Sequence, residues 1–134
     1  MRKLIGLVVG IVVSMVAITL VELLGRALFP PPPGIDMSDA ASIARAVAAI
    51  PLGTKMMVVV AWFTGAVAGG WAGLAVSRWR IVPWLVAVGI LIGAIISFQQ
   101  IPHPLWMQIG GALLPFVGAL LVLRFAAREV KPIA

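Results

Sequence analysis

The sequence predicts an all-α integral membrane protein: a four-helix bundle, N-in and C-in, with a proline-rich outer loop and a short outer amphipathic helix between spans 1 and 2. Three observations carry this reading. Leu4 to Val21, Met56 to Ser77, Ile81 to Pro102 and Pro104 to Leu123 each run about 18–22 residues without an ionisable side chain, the length a helix needs to cross a hydrocarbon core. Lipid offers no water to backbone N–H and C=O groups, so segments of this length and composition satisfy themselves as helices. The charges are confined to the gaps: Arg2, Lys3, Arg78, Arg80, Arg124, Arg128 and Lys131 fall on one side of a four-span topology, and Arg26, Arg45 and Lys55 on the other. That imbalance of basic residues places both termini in the cytoplasm.

The 134 residues, 63% of them hydrophobic, make one membrane domain over 1–134, with spans at about 4–25, 55–77, 81–101 and 105–124 and an outer segment over 26–54. A soluble domain of independent stability does not fit in the gaps. The net charge of +6 reads as an orientation signal, aided by anionic headgroups, and nucleic acid is not expected as a partner. With no cysteine, disulfides, thiolate nucleophiles and cysteine-held metals are excluded. The opening Met1-Arg2-Lys3 and its apolar run exceed a signal-peptide core and precede no small-x-small cleavage site, which predicts an uncleaved first span.

Span 1 carries Gly6, Gly10 and Ser14 at four-residue spacing, a surface that lets another helix approach closely. Beyond Glu22, Gly25 and Arg26 it stops at Pro30-Pro31-Pro32-Pro33-Gly34, where missing amide donors and fixed φ angles impose a polyproline II strut. A short helix follows, with Asp36 or Ser38 as its cap and Asp39 in its first turn. Its apolar face is expected to hold Ile43, Ala46, Val47 and Ile50, with Ser42 and Arg45 pointing away, and Pro51 and Gly53 end it. Span 2 has the clearest pattern, an unbroken ladder of Ala61, Gly65, Gly69, Gly73 and Ser77. The short turn Arg78-Trp79-Arg80 makes spans 2 and 3 an antiparallel hairpin. Span 3 starts with Pro83 in its first turn and carries a second ladder of Gly89, Gly93 and Ser97. Gln99, Gln100 and the turn Ile101-Pro102-His103-Pro104 lead into span 4, where Pro115 removes a backbone hydrogen bond and releases the carbonyl of Gly111. Trp79 and Trp84 fall at the inner interface and Trp106 at the outer one, as aromatic belts require.

Few residues offer chemistry. Glu22 is the one acid close to a span and reads either as a coupling carboxylate or as the i,i+4 partner of Arg26. His103, the sole histidine, is either a titrating group on the outer side or a water-facing cap on a rigid turn. Asp36 and Asp39 are explained first as helix-start residues. Glu22, Arg26, Asp36, Asp39, Gln99, Gln100 and His103 together make the candidate polar vestibule. Gly65, Gly69, Gly73, Gly89 and Gly93 are the candidate helix-packing residues. No catalytic residues are assigned: there is no Gly-x-Ser-x-Gly elbow, no phosphate loop and no dinucleotide fingerprint. A metal site and other cofactors are not expected either, since one histidine without cysteine is a poor zinc or haem ligand set.

A four-span plan with a glutamate on span 1 is similar in outline to the small multidrug transporters. Here Glu22 stands at the end of its span and a long loop follows, so no proton-coupling role carries over. The strings Glu22-Leu-Leu-Gly-Arg-Ala-Leu-Phe-Pro-Pro-Pro-Pro-Gly-Ile-Asp36 and Ile101-Pro-His-Pro-Leu-Trp106 resemble an uncharacterised family of small bacterial four-span inner-membrane proteins. That resemblance covers about a sixth of the chain and implies a location, the bacterial inner membrane, without an activity. The expected function is a packing or accessory component that self-associates, or joins a larger membrane complex, through its glycine ridges. The alternative is a minimal transporter or channel with an outer vestibule around Glu22, Gln99, Gln100 and His103. An enzyme at the outer leaflet ranks last.

Overall fold

A computed structural model describes residues 1–30 and 38–126. The described residues form five helices and no strand: α1 (Arg2–Leu28), α2 (Ala40–Ala49), α3 (Leu52–Ser77), α4 (Val82–Gln100) and α5 (Leu105–Phe125). By length and composition α1, α3, α4 and α5 can each cross a membrane, and the short α2 joins the first two of them. The chain is compatible with a multi-pass membrane protein. Exposed Leu4, Val8, Met15, Leu20, Ile92, Leu113 and Leu120 cover the outside of the bundle, a surface suited to lipid and unsuited to water. Residues 31–37, which include most of the proline strut and Asp36, and residues 127–134, with Arg128 and Lys131, lie outside the described part.

α1 and α3 overrun their apolar stretches, whereas α4 stays within its own. No breaker stands between Val21 and Leu28, so α1 continues through Glu22 and Arg26 and ends where the Phe29 amide donates to the Gly25 carbonyl (2.9 Å). Gly53, expected to terminate the short helix, lies instead in the first turn of α3, whose N-cap is Pro51. It is packed there under the Phe29 ring, 2.6 Å from where its Cβ would be. The α2 cap is also corrected. Asp39 itself is the N-cap, its Oδ1 accepting from the Ser42 amide (2.7 Å), and an extended backbone at Asp39 provides the geometry. Ser42, expected to face water, is buried together with Ala46 one turn on, while Ile43, Val47 and Ile50 are half-buried. Ser42 tolerates this because its Oγ accepts from Arg45 Nη2 (3.1 Å).

α1 and α3 lie antiparallel, and their ladders of small residues mesh. A Cβ added to Gly6 would collide with Ser77; on Gly10 it would lie 2.8 Å from the Gly69 carbonyl oxygen; on Gly69 it would strike the Gly10 carbonyl and lie 2.6 Å from Ser14 Cβ. On Gly65 it would fall 2.5 Å from Ile18 Cγ1. Backbone thus touches backbone along half a bundle length, the arrangement that van der Waals packing in lipid requires. Farther along the same register, Gly25 faces Met57 and Thr54 Oγ1 donates to the Phe29 carbonyl (2.8 Å).

α4 and α5 complete the bundle against α3. Val82, Val86, Ile90 and Ala94 follow at one-turn spacing and form the buried face of α4, joining Trp62 and Ala66 in the core. Gly118 of α5 packs over Ala66, and Gly111 is pressed against the Trp62 ring, the place where a side chain would collide. Pro115 is buried inside α5, which runs through it.

At the end holding the N-terminus, Arg2 Nε donates to the Val76 carbonyl (2.8 Å) and the Lys3 ammonium stands 5.1 Å from the centre of the Trp79 ring. A cation on the last carbonyls of α3 is favoured by the helix dipole. The turn itself uses a left-handed Arg78 (φ 54°), whose amide donates to Leu74 (2.7 Å). The Trp79 backbone amide donates a hydrogen bond to Ser77 Oγ (3.1 Å).

Candidate functional site

The end of the bundle opposite the N-terminus opens into a cavity of about 350 Å³ between α1, α2, α3, α4 and the α4–α5 turn. Its charged and polar lining comes from Glu22 and Arg26 of α1, Thr54 and Lys55 of α3, Ser97 of α4 and His103 of the turn, with Trp62 and Met107 among the apolar walls. The α1–α3 register explains the meeting. Once Gly10 and Ser14 are locked onto Gly73 and Gly69, the last turns of α1 must lie beside the first turns of α3, which brings Arg26 and Lys55 to the same cavity.

Of the residues expected to form a polar vestibule, Glu22, Arg26 and His103 are brought together. Gln99 and Gln100 are exposed at the end of α4 and do not line the cavity. Gln99 lies about 200° round the helix from Ser97, on the opposite face, whereas Gln100 lies only about 60° from it and is exposed beyond the cavity at the helix end. Asp39 is committed to the α2 cap. The Ser42 amide bond, followed by the smaller contributions of the Ser42 side chain and the Ala41 amide, holds its carboxyl below the usual range. Asp36 lies outside the described residues. Lys55, Thr54 and Ser97 are additions to the expected vestibule.

The expected Glu22–Arg26 pair is not closed. Among the described residues the side chains of Glu22, Arg26 and Lys55 close no hydrogen bond or salt bridge, although all three line one cavity and the Arg26 charge acts on Glu22. Two formal cations thus face one formal anion across an open cavity, and each keeps its hydrogen-bonding capacity for a guest. His103 is oriented by its own turn. Its Nδ1 lies 2.6 Å from the Ile101 carbonyl, which can only accept, so Nδ1 carries the proton and Nε2 is left as an acceptor in the neutral ring. Gln108 Nε2 donates to the His103 carbonyl (2.9 Å) and fixes the turn from the α5 side. Phe98 stands edge-on to His103 (5.1 Å) and to Trp62 (5.8 Å), making one aromatic wall.

The candidate packing glycines divide. Gly65, Gly69 and Gly73 are covered by α1 within the chain. Gly89 and Gly93 are exposed, and a Cβ on either would meet nothing within 4 Å. A second packing ladder on α4 is therefore not formed inside this chain, because α4 turns Val86, Ile90 and Ala94 inward instead. Below the vestibule these two glycines line an apolar slot of about 300 Å³ between α1 and α4, with Ile11, Ser14, Met15, Ile18 and Trp62.

No family model, curated protein or solved structure matches this chain.

Proposed function

We propose that this chain is a multi-pass protein of a bacterial inner membrane, both termini cytoplasmic, that works through the vestibule: it captures a small molecule with a charged head from the outer side, as the entry site of a minimal transporter. The observation that carries the reading is the convergence of Glu22, Arg26, Lys55 and His103 from separate elements on one cavity with the three charged groups left unpaired. Ionisable groups at the edge of a span are costly to keep there without water or a partner. At the opposite end of the bundle, α3 and α4 close against α1 and α5 through Gly70, Gly73, Pro83 and Val86, so the vestibule does not continue through to that end. An accessory role through glycine ridges is left with Gly89 and Gly93 alone, because Gly65, Gly69 and Gly73 are already occupied by α1.

The absence of cysteine makes a direct test simple. Ser97→Cys and Lys55→Cys, introduced singly, should react with a membrane-impermeant maleimide added to the outside of intact cells. Cys at Ala87, buried near the other end of α4, should not react from either side. Failure of Ser97→Cys to react from outside, or its reaction from the cytoplasmic side alone, would overturn the assignment.

A further inference from the structure

Resting on the vestibule reading, we propose that the vestibule and the slot beneath it are one site for an anionic phospholipid drawn from the outer leaflet: its phosphate lies against Arg26 and Lys55, and an acyl chain descends between α1 and α4 over Gly89 and Gly93. Both cavities share Trp62 and Gly93, so they adjoin at these two residues. Their polarity changes in the order an amphiphile requires, from Arg26, Lys55, Thr54, Ser97 and His103 at the mouth to Ile11, Met15, Ile18, Val86 and Ile90 below. From Arg26 to Ile11 the site spans about 22 Å of α1, more than the roughly 15 Å hydrocarbon depth of one leaflet and so room for an acyl chain beneath its headgroup.

Charge selects the head. Glu22 offsets one of the two cations and leaves a formal excess of one positive charge, which a phosphodiester monoanion balances while offering two acceptor oxygens to side-chain donors that close no hydrogen bond of their own. Shape selects the tail. α1 packs closely on α3, whereas its seam with α4 is open at Gly89 and Gly93, and exposed Ile11 and Met15 border it, so the slot is reached sideways from the bilayer.

The hydroxyls add an independent sign. Thr19, Thr64 and Ser77 each donate to the carbonyl one turn back, at 2.7–2.8 Å, which is how helices in lipid satisfy them. Ser97 and Ser14 make no hydrogen bond among the described residues, and each lines one of the two cavities. Ser14 Oγ, on a residue only 2% exposed, is the buried side-chain polar atom left without a partner. The Ser97 hydroxyl is thus left for a guest's polar atoms, whereas Ser14 Oγ is covered from α3 by Gly65, 3.0 Å from where a Cβ there would lie.

Native mass spectrometry of the full chain in mild detergent tests this, with phosphatidylglycerol and phosphatidylcholine of identical acyl chains as probes. Phosphatidylglycerol is expected to bind at least about tenfold more tightly, and Arg26→Gln with Lys55→Gln should erase the preference. Gly93→Leu, at a position with room for a side chain, should weaken both lipids about equally by occupying the slot. Equal affinity for the two lipids in the native chain, or a preference that survives the double charge variant, overturns the proposal. So does competition by glycerol phosphate as strong as by the whole lipid, which would make the site one for a soluble anion. A dimer that vanishes in Gly93→Leu, with no lipid adduct in the native chain, would assign the slot to a second copy and overturn it too. External labelling of Ser97→Cys that persists while lipid selectivity is absent would leave the vestibule reading standing and remove only the lipid.

Discussion

Gly69→Ala offers the sharpest measure of how this bundle is held. A Cβ at residue 69 would strike the Gly10 carbonyl oxygen and lie 2.6 Å from Ser14 Cβ and 3.1 Å from Ser14 Cα, where ordinary contact begins at 3.4 Å. Two of these atoms are backbone, so no rotamer change relieves the clash. α1 must withdraw from α3 by about 1 Å, and a gap of that size forfeits a quarter to a half of each dispersion contact along the seam. The seam includes Gly6, Gly10, Ser14 and Ile18 on one side and Gly65, Gly69, Gly73 and Ser77 on the other. Overpacking of this kind costs about 2–3 kcal/mol, a large part of which is lost close contact and not local strain. Gly93→Ala is the matched control. It adds the same methyl group to a helix of the same kind, where nothing lies within 4 Å, and should change stability by about 0.5 kcal/mol or less. Reversible unfolding in mixed micelles of mild detergent and dodecyl sulfate, followed by circular dichroism, gives both values. Equal costs for the two variants, or a Gly69→Ala within about 0.5 kcal/mol of the native chain, would refute the claim that the α1–α3 backbone contact holds the fold.

Two further outcomes follow from single contacts. Gly111→Ala places a methyl group on the Trp62 ring and 3.3 Å from Phe98, so the ring must swing into the vestibule; a loss of about 1–3 kcal/mol and a changed Trp62 emission in a chain keeping only that tryptophan are expected. Unchanged emission would show that the wall is soft. Asp39, whose folded carboxyl titrates below its ordinary value, stabilises α2 fully above the unfolded carboxylate pKa, and that contribution disappears as pH falls through the lowered folded value. Hydrogen exchange at the Ser42 amide should therefore quicken in acid and in Asp39→Ala at neutral pH, and remain slow in Asp39→Asn, which still accepts the bond. A Ser42 amide indifferent to both changes would remove the cap.

The four long helices were legible because lipid imposes a length and forbids charge, and both constraints are written residue by residue between Leu4 and Leu123. Helix ends were less so: α1 runs on past Glu22 because an end is set by Pro30 and its neighbours and not by polarity. Ladder spacing identifies a face that can be approached closely, but not what approaches it. Gly65–Gly73 and Gly89–Gly93 have the same spacing, yet α1 covers the first pair and leaves the second bare. One readable signal was passed over. Gly6, Gly10 and Ser14 match Ser77, Gly73 and Gly69 in reverse order, and aligning them fixes an antiparallel register. Extending that register brings Arg26 level with Met57 and Phe29 level with Thr54, and so would have drawn Lys55 towards Glu22 and Arg26. Gln99 and Gln100 could not be excluded in this way, since their direction depends on how α4 is rotated.

The clasp of Arg2 on Val76 and Lys3 on Trp79 has a consequence for how the molecule is made. Translation delivers the first helix to the bilayer long before the residues that fasten it exist. Until α3 has left the ribosome, α1 waits as a lone lipid-bathed rod with its notched side uncovered. Assembly is then a late closure that joins Arg2 to a residue 74 positions further along.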